Sequence, residues 1–155
     1  MKKNYIVSTC ALVLSLIITS VFFLSGCAEE AKGTIKIGAI FAGTGPIAFL
    51  GEPEVKTARL LVDNINEKGG VGGYKIELII KDSQASSEKA ISFANQLIEE
   101  EEVFAIIGPT SSGTSLAIKD ICEKGQTILM SCAAAEKISN PVAKYVFTTP
   151  QQDRY

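Results

Sequence analysis

The stretch "GPTSSGTS", from Gly108 to Ser115, carries the residues most ready for chemistry. Gly108, Gly113 and Ser115 keep the spacing of a phosphate-binding loop, G-x-x-x-x-G-K-[ST], but Thr114 stands where that loop needs its lysine. A triphosphate requires that lysine for its outer phosphates and an acidic residue for magnesium. A single carboxylate requires only two or three neutral donors. Thr110, Ser111 and Ser112 lead into an apolar-periodic segment, so free backbone N–H groups, the positive end of a helix and hydroxyl donors converge at Ser111, Ser112 and Gly113. Ser111 or Ser112 would equally serve as a plain helix cap, and the sequence leaves both roles open.

Cys27 is the second reactive position. It closes "MKKNYIVSTCALVLSLIITSVFFLSGC", in which two lysines precede an apolar run from Tyr5 to Leu24 and the small residues Ser25 and Gly26. That order is a secretory leader; a membrane-spanning anchor is the competing reading, because the run is nearly long enough to cross a bilayer. Leu24-Ser25-Gly26-Cys27 resembles the lipobox of bacterial lipoproteins, which implies acylation of the Cys27 thiol and cleavage just before it. Each buried methylene of an acyl chain contributes about 0.8 kcal/mol, so two or three chains hold a protein durably at a membrane. Residues 1–26 are accordingly expected as a signal peptide and 27–33 as a lipidated tether.

Composition excludes several classes. The chain has 155 residues and no histidine, which removes Ser-His and Cys-His nucleophile pairs and most zinc sites. A serine hydrolase built on Ser111 or Ser112 would have to draw its base from Lys119 or Lys137. Without Lys2 and Lys3 of the leader, 13 of the 15 basic residues remain against 17 acidic ones, a balance near −4 that is a poor footprint for nucleic acid. No cofactor and no metal is called for. Cys122 and Cys132 are not expected to pair, because the predicted elements place their Cα atoms beyond the roughly 7 Å limit of a disulfide. Cys132 reads as a small buried residue, with a redox switch as the alternative.

The elements that must position these residues alternate. Thr34 to Phe41 predicts a strand, "AGTGPIAFLGEP" a loop, and Glu54 to Lys68 a helix with Val55, Ala58, Leu61, Val62 and Ile65 on one face. Tyr74 to Lys81 predicts a strand with Ile76, Leu78 and Ile80 together. Ser86 or Ser87 caps a helix whose face is Ala90, Ile91, Ala94, Leu97 and Ile98. Val103 to Ile107, continuously apolar, reads as a strand covered on both sides. A helix from about Ser112 to Glu123 carries Leu116, Ala117, Asp120 and Ile121; strands at Thr127 to Ser131 and Tyr145 to Thr148 flank the helical turn "AAAEKI". "EEEE" at Glu99 to Glu102 reads as a solvated helix end. The fold class is α/β, a doubly wound parallel sheet with helices on both faces, and its ligand crevice belongs at the carboxyl ends of the strands.

The segments from Ile35 to Asp153, including "IKIGAIFAGTGPIAFLGEPEVKTARLLVDNINEKGGVGG", "VFAIIGPTSSGTSLAI", "ILMSCAAAEKI" and "VFTTPQQD", resemble the amino-terminal lobe of the branched-chain amino-acid binding proteins, the solute receptors of ABC importers. The resemblance implies two lobes closing on a solute, delivery to permease subunits, a monomer, and an extracytoplasmic position fitting the lipobox. It makes residues 34–150 the amino-terminal lobe and 151–155 the start of the crossover to a second lobe, so that the chain reads as a fragment or a truncated frame. By the same resemblance Ser112 receives the ligand carboxylate, Leu50 lines the pocket wall, and Ala133 offers its carbonyl to an ammonium, with Ala134 beside it; Phe49 is expected at the cleft next to Leu50. Ala135 departs from the threonine or serine usual there, which points to a carboxylate-bearing solute with an apolar or aromatic body rather than to an α-amino acid by necessity. A ligand-sensing receptor domain of the same fold is the alternative.

Overall fold

The computed structural model describes residues 31–153. The stretch expected to be a signal peptide and Cys27 lie outside them, as do Arg154 and Tyr155. Five parallel strands form one sheet in the order β2-β1-β3-β4-β5: β1 Gly33–Phe41, β2 Tyr74–Asp82, β3 Ala105–Ile107, β4 Ile128–Ser131 and β5 Val146–Thr148. The crossovers contain α1 Ala48–Glu67, α2 Ser87–Asn95 continued by a wider turn at Gln96–Glu100, and α3 Ser112–Lys124; a 3-10 turn at Glu136–Ile138 follows β4. The chain runs from β1 outward to β2 and then back past β1 to β3. Strand order therefore reverses between β1 and β3, where a doubly wound sheet opens a crevice.

The core lies on one side of the sheet. Ile40, Ile106, Leu129 and Val146 point there and pack with Ala90, Ala94 and Leu97 from the α2 stretch and with Ile118 and Cys122 from α3. Ile79 faces the same side, whereas Ile76 and Leu78 meet Val62 and Asn66 of α1 on the other, as the two-residue alternation of a strand demands. Asn66 anchors α1 to β2 through its side chain, accepting from Ile76 N–H at 2.8 Å and donating to Ile76 O at 2.8 Å. Ser86 is the residue that caps α2, accepting from Lys89 N–H at 3.3 Å.

Four expectations change. α1 starts at Ala48, not Glu54, and Pro53 sits inside it. Gly51 makes this possible: any Cβ there would lie 2.2 Å from Ala42 O, so the helix rests directly on the backbone leaving β1. β3 starts at Ala105, not Val103, because Val103 N–H bonds back to Leu97 O and Phe104 is 65% exposed. In α3 the buried positions are Thr114, Ser115, Ile118 and Cys122 rather than the stripe through Leu116 and Asp120; Leu116 is exposed because the polar Thr114 and Ser115 find partners inside. Leu61 of α1 and Ile91 of α2 are likewise exposed. Leu61 is exposed for a reason of topology. α1 packs mainly on β2 and β1, and on that side of the sheet Phe147 of β5 is left 45% exposed.

Candidate functional site at the carboxyl ends of the strands

Three loops meet where β1, β3 and β4 end. The loop after β3 turns at Gly108, whose φ of +90° and whose approach to Ile40 O, 2.3 Å from any Cβ, admit glycine alone. Its amide donates to Met130 O at 3.0 Å, fastening the turn to β4. Ser111 is the cap of α3: its hydroxyl oxygen accepts from Thr114 N–H at 3.3 Å and lies 2.8 Å from Thr114 Oγ1, while its carbonyl accepts from Ser115 N–H at 3.0 Å. The question left open by sequence is thereby divided. Ser111 is committed to the helix, and the amides of Ser112 and Gly113, the first two of α3, together with the Ser112 hydroxyl, are bonded to no other described residue. Two N–H groups and a hydroxyl at the positive end of a 13-residue helix are a donor set of the size that one carboxylate requires.

A buried serine relay fixes this donor set against β4, and sequence reasoning missed it. Ser115 Oγ donates to Ser111 O at 2.9 Å and lies 2.8 Å from Ser131 Oγ, which accepts from Ala133 N–H at 3.1 Å. Ser115 and Ser131 are fully buried. The available signal was spacing: Ser115 is four residues beyond the cap, one helical turn, and so sits beneath it. Ala133 is buried with its amide spent on Ser131; Ala134 accepts at its carbonyl from Asp153 N–H at 3.1 Å; Ala135 packs its methyl on the core and starts the 3-10 turn. Phe49 and Leu50 lie in the first turn of α1 rather than in a loop, 72% and 49% exposed.

The β1–α1 loop is held by Asp82 at the end of β2, which accepts from the Thr44 hydroxyl at 2.6 Å and from the Gln84 and Thr44 amides at 3.1 and 3.3 Å. Burial opposes ionisation of Asp82, but the bonds from Thr44, Gln84 and Gly43 outweigh it and hold the carboxyl below its ordinary value. Cys122 and Cys132 are both free. Burial pushes Cys122 up to about 12 and Cys132 up to about 11, the latter helped by the charge of Glu54, so neither resembles the low-pKa thiol of a redox switch. The hydrolase reading gains no support: Ser111 is occupied by the cap, and Lys119 donates to Lys137 O at 2.9 Å.

Residues 34–154 match the model of the family described as periplasmic binding protein. The chain belongs to that family. It is 38% identical over 108 residues to the Leu/Ile/Val-binding protein homolog 7 of Brucella abortus (strain 2308), covering 70% of this chain and 27% of that protein. Among solved structures, the branched-chain amino acid substrate binding protein LivJ of Streptococcus pneumoniae in complex with isoleucine superposes with a TM-score of 0.75 at 34% identity, over 79% of this chain and 35% of that one. A solute binding protein of Rhodopseudomonas palustris BisB5 in complex with 3,4-dihydroxy benzoic acid does so with a TM-score of 0.67 at 28% identity, over 77% and 32%. The periplasmic binding protein chain described here thus spans about a third or less of the length of these relatives. Its fold is that of type I periplasmic binding proteins, a family of solute-binding proteins rather than enzymes.

Proposed function

We propose that this chain is the amino-terminal lobe of an extracytoplasmic solute-binding component of an ABC importer, taking a small carboxylate-bearing solute at the start of α3. The observation that carries this is the pair of uncommitted amides at Ser112 and Gly113 beside the Ser112 hydroxyl, placed at the strand-order reversal. The solved relatives hold isoleucine in one case and 3,4-dihydroxy benzoic acid in another. Both ligands carry a carboxylate and an apolar or aromatic body, the class expected from Ser112 beside Ala135. Phe49 and Leu50, exposed on the first turn of α1, supply apolar surface on the same rim. Permease subunits as partners, a monomeric receptor, and lipid attachment through Cys27 complete the proposal.

The test is amide NMR of the 15N-labelled chain during titration with isoleucine and, separately, with 3,4-dihydroxybenzoate. The Ser112 and Gly113 resonances are expected to move most. Ser112→Ala, which removes one hydrogen bond to a charged group worth about 1.5–3 kcal/mol, is expected to weaken the apparent affinity at least about tenfold. Shifts confined to other loops, or an affinity indifferent to Ser112→Ala, would refute this assignment of the site.

A further inference from the structure

Behind the candidate carboxylate site sits one ionisable side chain that meets the loops after β3 and β4 and reaches the loop after β1 through Thr110. Glu54, half-buried on α1, accepts through Oε2 from the Thr110 hydroxyl. The same Thr110 oxygen accepts from Ala42 N–H at 3.0 Å, so the loop after β3 and the loop after β1 meet on one atom that is held by Glu54. Cys132, the first residue past β4, faces the same carboxylate across the cavity that both line. Thr110 immediately precedes Ser111 and Ser112, and Cys132 immediately precedes Ala133. We propose that Glu54 is a positioning residue that sets the registration of the three rim loops, and through them the donors offered to the solute.

The surroundings give this arrangement its strength. Glu54 and Cys132 border a cavity of about 340 Å³ whose other walls include Phe41, Thr57, Ala58, Leu61 and Ile107. The carboxylate is half-buried in this setting, so the bond from Thr110 is charge-assisted while water still reaches the group. Burial raises the Glu54 carboxyl above its ordinary value, the bond from Thr110 and the facing Cys132 thiol partly offsetting this. Among the described residues lining the cavity, Glu54 and Cys132 are the titratable ones, and Cys132, pushed up to about 11, stays a neutral donor across the acidic and neutral range. Protonating Glu54 therefore weakens the charge-assisted bond from Thr110 and removes the charge facing the Cys132 thiol, a change that reaches Ala42 and Ser112 on one side and Ala133 on the other.

The inference rests on the solute-site reading for its meaning, but its test needs no solute. Amide spectra of the 15N-labelled chain are recorded from pH 4 to 8. Ala42, Ser112 and Ala133 are expected to titrate with one shared midpoint above the ordinary glutamate value, and Glu54→Gln is expected to abolish that transition in all three. Thr110→Val removes the hydroxyl while keeping the shape, and is expected to silence Ala42 and Ser112 but leave Ala133. Cys132→Ala is expected to do the reverse. These two variants decide the matter even where Glu54→Gln does not fold. Separate midpoints for the three amides, or a transition that persists in Thr110→Val and Cys132→Ala at all three positions, would overturn the proposal. A chain that shows the shared transition yet ignores isoleucine and 3,4-dihydroxybenzoate would leave the Glu54 linkage standing and remove the solute assignment.

Discussion

Two carboxylates near the rim should make opposite contributions to stability against pH. Asp82 titrates below its ordinary value in the folded chain, so its contribution is present above the unfolded value near 3.8 and is lost as pH falls through the depressed folded one. Glu54 titrates above its ordinary value near 4.5, so its protonated form favours folding below that value, and the contribution disappears as pH rises through the raised folded one. Urea denaturation across pH 3 to 8 checks both signs. Asp82→Asn is expected to flatten the acid limb of the stability profile, and Glu54→Gln to remove a decline that sets in as pH rises above about 4.5. Ser111 shows why such roles were only half legible. Its helix-capping propensity was visible, but which of two adjacent serines capped, and which stayed open, depended on where α3 began.

Helix and strand boundaries were decided by close backbone approaches that a periodicity cannot register. Pro53 closed a stretch that read as a Gly/Pro-rich loop, so Glu54 looked like the first helical residue. The chain instead begins α1 six residues earlier, because Gly51 allows it to sit on Ala42. Gly108 works in the same way at the end of β3. Gly108→Ala would force a side chain to φ +90° with its Cβ 2.3 Å from Ile40 O. The expected cost is at least about 3 kcal/mol, read as a lowered urea midpoint, with the Ser112 and Gly113 amides shifted even at low denaturant. The apolar periods of α1 and α2 were right in kind; Leu61 and Ile91 failed because a stripe marks what could be buried, and burial also needs a neighbour.

Among the described residues, that missing neighbour is a matter of how the helices cover the sheet. In this part of the chain, α2 and α3 pack on one side of the sheet, whereas α1 packs mainly on the β2 and β1 half of the other. Leu61 at 54% and Phe147 at 45% exposure, flanking the cavity side of β3 and β4, form an apolar surface of the kind that binds hydrophobic dyes. The chain is expected to enhance the fluorescence of anilinonaphthalene sulfonate at neutral pH while keeping a cooperative unfolding transition. Leu61→Ser combined with Phe147→Ser is expected to reduce the signal several-fold with little loss of stability, since both side chains already contact water. A dye signal unchanged by the pair would place the exposed surface elsewhere.

From sequence alone came the alternation of strands and helices, the parallel sheet, the family resemblance and the carboxylate-sized loop at Gly108 to Ser115. Each follows from local signals: two- and 3.6-residue periods, glycine at turns, hydroxyl residues before a helix. Tertiary structure alone decided that Ser111 caps while Ser112 and Gly113 stay open, that Ser115 and Ser131 brace that donor set, and that Glu54 meets Thr110 and Cys132 across 56 and 78 positions of sequence. The reason is physical. Hydrogen bonds between distant residues exist only once the sheet order has brought strand ends together, and no pattern along the chain encodes which polar atoms that packing leaves without a partner.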